Sequence, residues 1–201
     1  MPDHAQLQLI SGQFERAEVT GEQYLELLMR QVSVQLGCVR SGLRLFTGDG
    51  PTRVARCVAM YDASASLIVP AADIVHDESG PYLQGLRHSG CVIIDFDASA
   101  ASGTDALQDY LRIVGAASVL DMGFSVNGAL FGAFSCERDA ASQPWSQRHI
   151  QLLRKIASRA SLTLMHAVNS STDSGPGAFW EPSTLTRLVT VPVGLRASNA
   201  P

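Results

Sequence analysis

The spacing of apolar positions changes several times along this chain, and each change marks an element. Leu25, Leu28, Val32 and Leu36 recur at helical steps and predict a helix of about four turns opening at Thr20. Thr20-Gly-Glu-Gln23 reads as its capping box, with Gly37 as its stop. Residues 39–46 and 52–61 alternate like strands around the turn residues Gly48-Asp-Gly-Pro51. Residues 62–78 read as irregular. Ser79-Gly-Pro-Tyr82 then starts a short helix that ends near Gly90, with proline in its first turn. A brief apolar strand over 91–95, a small-residue loop over 98–103 and a second short helix over 104–114 follow. The runs flanking Asn127-Gly128 predict an antiparallel hairpin. Ile150, Leu153, Ala157, Ala160, Leu164 and Ala167 form the stripe of a last helix over 147–168, with Ser146 as N-cap.

Helix, two strands, short helix, strand, short helix, two strands and long helix in this order predict an α+β fold, an antiparallel sheet with helices on both faces. Residues 1–19 have weak periodicity and read as an N-terminal arm, residues 20–168 as the domain. Residues 169–201 read as a flexible linker, Asn169 to Gly177, and a tail to which no fold is assigned.

Register decides what the hairpin exposes, because side chains alternate between sheet faces. A two-residue loop over 127–128 pairs Val126 with Ala129. A three-residue loop over 126–128 with a bulge pairs Ser125 with Ala129. The second sorts the residues more cleanly. Leu120, Met122, Phe124, Leu130, Gly132, Phe134 and Cys136 share one face. Val119, Asp121, Gly123, Ser125, Ala129, Phe131, Ala133, Ser135 and Glu137 share the other. The large apolar face suits the terminal helices. The small face with polar tips suits a pocket under the short helices and loops.

Composition narrows the setting. The chain of 201 residues is 46% apolar and 17% charged, with net charge −4. That offers no general basic field for nucleic acid. No apolar run approaches the length of a membrane helix and no secretory signal is evident, so a cytoplasmic protein is expected. Cys38, Cys57, Cys91 and Cys136 are too widely spaced for a zinc or C-x-x-C motif and read as buried small hydrophobes. The five histidines are scattered, none at catalytic or metal spacing. Arg40, Arg44, Arg53 and Arg56 in the first hairpin read mostly as solvated edge residues, with contact to an anionic ligand as the alternative for one of them.

The order of elements, "PYLQGL" before the central strand, "DYLRIVGAASVLDMGFSVNGALFGAFSCE" and the tryptophan opening the last helix resemble a GAF domain over about residues 20–168. The resemblance is nearest to bacterial GAF domains that precede diguanylate cyclase or histidine kinase outputs. Three positions depart from the family's pattern. Gly123 stands where proline is frequent, His149 where an acid caps the last helix, and Glu137 where the phytochrome histidine faces its bilin. The residue pattern of cyclic-nucleotide GAF domains is missing.

The resemblance implies a non-catalytic sensory module with a small-molecule ligand on the small polar face. Asp121, Ser135 and Glu137 then supply polar contacts and Phe131 an apolar wall, while Tyr82 and Tyr110 close the roof. The cofactor is left open. The implied partners are a second copy, met through residues 20–36 and 147–168, and a separate output protein, since no output domain follows residue 168. The alternatives are an interaction domain with a collapsed pocket, and an enzyme like the stand-alone GAF proteins that reduce free methionine sulfoxide. In the enzyme reading Cys91, and Cys57 with it, would reach the pocket and Cys136 would not.

Overall fold

A computed structural model describes residues 3–103, 105–126 and 128–171, with side chains from Ala5 to Leu164. Its elements run α1 (Asp3–Glu15), α2 (Gly21–Leu36), β1 (Arg40–Thr47), β2 (Thr52–Asp62), β3 (Leu67–Ile68), β4 (Ile74–Asp77), α3 (Pro81–Ser89), β5 (Cys91–Asp95), α4 (Ala106–Val114), β6 (Ser118–Val126), β7 (Ala129–Arg138) and α5 (Gln147–Ser171). The fold is α+β. The seven strands form one sheet in the order β3-β2-β1-β7-β6-β5, with β4 also paired to β2, and every pairing is antiparallel.

Local chemistry sets the helix ends. The capping box is present: Gln23 N–H donates to Thr20 Oγ1 (3.2 Å) and Thr20 N–H to Gln23 Oε1 (2.9 Å). Gly37, at φ 59°, takes the left-handed turn that ends α2. At α5 the residue in the capping acid's place does the acid's work, since His149 Nδ1 accepts the Ser146 N–H at 3.0 Å.

Three readings change. Residues 3–15, read as an arm, form α1. It buries only Leu7, Ile10 and Ser11 and stacks Phe14 on Tyr24 of α2, so it shows little period. Residues 62–78, read as irregular, contain β3 and β4. Helix α5 continues to Ser171, into the expected linker; the remainder of the predicted tail, 172–201, lies outside the described residues.

The hairpin register is also corrected. Val126 pairs with Ala129 and Ser125 with Leu130, so the loop has two residues, and Gly128 takes φ 81°. The pairing then slips: Phe124 meets Gly132, which leaves Phe131 as an extra residue on β7. Beyond this bulge Asp121 pairs with Ser135 and Leu120 with Cys136. Leu130 therefore moves to the face of Asp121, and Phe131 moves to the opposite face, where its ring lies 5.9 Å from Phe124. Only a glycine fits at 132, where an added Cβ would meet the Arg44 carbonyl and lie 2.7 Å from the Phe124 ring.

Helices α1, α2 and α5 cover the first face and bury Leu43, Leu45, Leu120, Met122 and Phe134 against it. Each such side chain is worth roughly 1.5–3 kcal/mol. Helices α3 and α4 cover the second face over a smaller core that includes Leu83, Leu86, Leu107 and Leu111. Arg138, at the end of β7, ties the helical side together. Its guanidinium donates to the Leu36 carbonyl ending α2 and to the Gln143 carbonyl before α5, and it lies 3.7 Å from the Trp145 ring centre.

Candidate functional site

Alternation along the three central strands places a row of polar side chains under α3 and α4. Arg40 pairs with Glu137, Gly42 with Ser135 and Arg44 with Ala133 between β1 and β7, while Asp121 on β6 faces Ser135. Each short helix lowers one tyrosine onto this row. The Tyr82 hydroxyl of α3 donates to Asp121 Oδ2 at 2.6 Å, and the Tyr110 hydroxyl of α4 donates to Glu137 Oε1 at 2.6 Å. Arg44 is held beneath them. Its guanidinium donates to the Ala72 carbonyl at 2.7 Å and lies 4.8 Å from the Tyr110 ring centre. Arg40 Nη1 stands 3.6 Å from Glu137 Oε2 and Arg40 Nε 3.4 Å from Asp62.

The row is dry. Asp121, Glu137 and Arg44 are exposed by no more than 2%. Burial pushes the Asp121 carboxyl above its ordinary value, opposed by the Ser135 and Tyr82 hydroxyls and the Arg44 charge. Burial likewise raises Glu137, opposed by Tyr110, Arg40 and Arg44. For Arg44 burial acts against the charge, but Tyr110, Cys57, Asp121 and Glu137 outweigh it and hold the pKa above its usual value. Asp121 Oδ1 and Glu137 Oε2 find no donor in hydrogen-bond geometry. A buried acid left half satisfied is costly.

Beside the row opens a cleft of about 570 Å³ between β4, α3, β5 and the start of α4. That is ligand-sized. Tyr82 and His76 form its inner wall, their rings stacked 3.9 Å apart and 10° from parallel. Burial and the Arg44 charge lower the His76 pKa to about 4, so its ring is neutral at neutral pH.

Of the six residues the sequence singles out, the structure gathers five on one face: Asp121, Ser135 and Glu137 on the strands, Tyr82 and Tyr110 above them. Only Tyr82 of these borders the open cleft. Phe131 is carried away by the bulge into the core under the terminal helices. Two residues were missed. Arg44, read among the solvated edge arginines, is 1% exposed, and His76, read as scattered, is 7% exposed. The signal for Arg44 was its place between Leu43 and Leu45: if the leucines face one core, the arginine faces the other side of the sheet.

Cys38 and Cys136 lie in the helix-side core, and Cys91 borders the cleft. Cys57 is on β2, four strand spacings from Cys91 on β5. At about 4.8 Å per spacing they stand roughly 19 Å apart across the sheet, beyond disulfide reach. Among the described residues no group of three or more potential ligands could hold a metal ion, and no helix is long and apolar enough to cross a membrane.

An antiparallel sheet with a helical layer on one side and a roofed polar row on the other is an α+β architecture. The GAF domain profile matches residues 20–164, and the chain belongs to the GAF domain family. A search of curated proteins found no match. Among solved structures, the phycocyanobilin-bound GAF domain of a cyanobacterial phytochrome superposes with a TM-score of 0.64 at 15% identity, over 85% of this chain and 97% of that one. The blue-light absorbing PixJ GAF domain of Thermosynechococcus elongatus gives 0.53 at 18% identity, over 75% and 89%. The photosensory core module of the Stigmatella aurantiaca phytochrome gives 0.60 at 13% identity, over 85% of this chain and 38% of that one. At these identities the likeness is one of fold.

Proposed function

We propose that this chain is a non-catalytic cytoplasmic sensory module that binds a small molecule in the cleft beside Tyr82 and engages neither membrane nor nucleic acid. The carrying observation is the position of Tyr82. One side of it borders a ligand-sized cleft, and its hydroxyl grips buried Asp121 on β6. A ligand that shifts Tyr82 changes its hydrogen bond to the Asp121 carboxylate, and β6 pairs with β7, which carries Arg138. Signal then leaves through α2 and α5 to a second copy and to a separate output protein. The resemblance to GAF domains preceding diguanylate cyclases or histidine kinases makes such enzymes the class of recipient. The bilin of the structural relatives fits poorly as ligand, since Glu137 is 0% exposed under Tyr110.

Thermal melting against a panel of metabolites tests this. A binder at a hundred times its Kd raises stability by about 2.7 kcal/mol. The response should weaken in Tyr82→Phe and survive in a variant of the distant α5 surface such as Lys155→Gln. A panel without response contradicts the proposal.

A second reading, a ligand-free interaction domain, is favoured by one observation: Arg44, Tyr82 and Tyr110 already fill the space directly over β6 and β7. In that case light scattering finds the same assembly with or without every compound of the panel.

A further inference from the structure

We propose that the cleft beside Tyr82 takes a flat organic cation, an aromatic or heteroaromatic ring bearing a protonated amine, and discriminates against anions. This deepens the reading of the cleft as the ligand site and rests on it.

The flatness comes from the wall. The stacked Tyr82 and His76 rings present a planar surface, and Phe46 braces both edge-on at 6.4 Å. At the rim Val75 is 51% exposed and Ile93 42%, apolar surface that a ring would cover.

The charge preference comes from the lining. Asp77 of β4 and Asp105 at the N-cap of α4 both border the cleft, and among the described residues no lysine or arginine does. The Asp77 bonds from Ser79 and the Asp105 bonds from the Leu107 and Gln108 N–H groups all fall on Oδ1. Among the described residues no donor reaches either Oδ2 atom. Two helix N-termini oppose them, since α3 and α4 both begin at the cleft. Each terminus is equivalent to about half a positive charge, against a full negative charge on each carboxylate, so the sum is negative.

The third observation is His76. It is 7% exposed, and its ring stacks on Tyr82 and meets Phe46 edge-on. Burial and the Arg44 charge disfavour its protonation, with the Asp105 carboxylate opposing them. A neutral imidazole keeps one bare nitrogen, an acceptor. A neutral ring acceptor lining a cleft that two carboxylates also border matches a ligand that brings N–H groups and positive charge.

The test is a matched series on one ring: tryptamine as cation, indole-3-ethanol as neutral form and indole-3-acetate as anion, titrated calorimetrically into the full chain. Tryptamine should bind at least about tenfold tighter than indole-3-acetate, with the neutral compound between them. Its binding should shift the His76 ring resonances. The double substitution Asp77→Asn, Asp105→Asn should bring the two Kd values together. Asparagine retains both the turn and the cap, so the variant keeps its fold. Indole-3-acetate binding as tightly as tryptamine overturns the charge preference and leaves the cleft as a ligand site. A metabolite that binds at the cleft when none of the three indoles does overturns this inference alone. Silence from both the indoles and the panel overturns the ligand-site reading as well.

Discussion

On the side of α1, α2 and α5 the central strands offer Leu43, Leu45, Leu120, Met122 and Phe134; on the side of α3 and α4 the same strands offer Arg44, Asp121, Ser135 and Glu137. Both sets are buried, so depth does not separate them. The first face gains from burial at every residue. The second carries charges that are costly to desolvate and are only partly compensated by two tyrosines and two arginines. A fold has no structural need for such a face when leucines would pack there.

The sharpest test of this contrast uses two adjacent residues. Arg44→Met leaves Asp121 and Glu137 without their shared cation and should destabilise by about 3–5 kcal/mol at neutral pH. Leu43→Ala, facing the helices, should cost about 2–5 kcal/mol. Urea denaturation across pH separates them: the Arg44→Met loss shrinks in acid as the carboxyls protonate, whereas the Leu43→Ala loss stays constant.

Next in size is the histidine of the polar face. His76 has a folded pKa of about 4 against about 6.5 when unfolded. The unfolded chain takes up the proton first, so stability falls as pH drops below about 6.5 and levels off near 4. The full loss is roughly 3 kcal/mol. The difference between wild type and His76→Gln, measured over this range, isolates it.

Tyr82→Phe removes the buried hydrogen bond to Asp121 Oδ2 and should cost roughly 1–3 kcal/mol by chemical denaturation. Asp121→Asn probes the other partner. The Asp121 pKa is raised, so the folded state resists ionisation, and its contribution is lost as pH rises through the folded pKa. The variant should therefore melt above wild type at neutral pH, with the gap closing below about pH 4, since asparagine still accepts from Tyr82.

The same contrast explains what the sequence made legible. Helices α2 and α5 announce themselves because one stripe of each meets a wide apolar face, and Thr20 with Gln23 marks a boundary by chemistry alone. The short helices are punctuated by Pro81, Gly90 and Gly115. Five of six site residues follow from alternation on β6 and β7 and from the two tyrosines above. The sixth, Phe131, fails because a bulge breaks the period of two at one residue, and no residue type at that point signals it. Arg44 and His76 stay hidden for another reason. Their burial depends on β4 and the short helices folding over them, a long-range fact that local pattern does not carry.

One feature of β7 has a mechanical meaning. Glu137 and Arg138 are consecutive, and their side chains take opposite sides of the sheet. The first is held by the tyrosine of α4, the second by the last carbonyl of α2 and the approach to α5. A single peptide unit is thus gripped from both layers, and the strand between them acts as a stiff rod with a handle at each side. Any slide or tilt of that rod moves both handles together. Under the proposed sensory function, a displacement of the roof would reach the terminal helices through this one peptide unit.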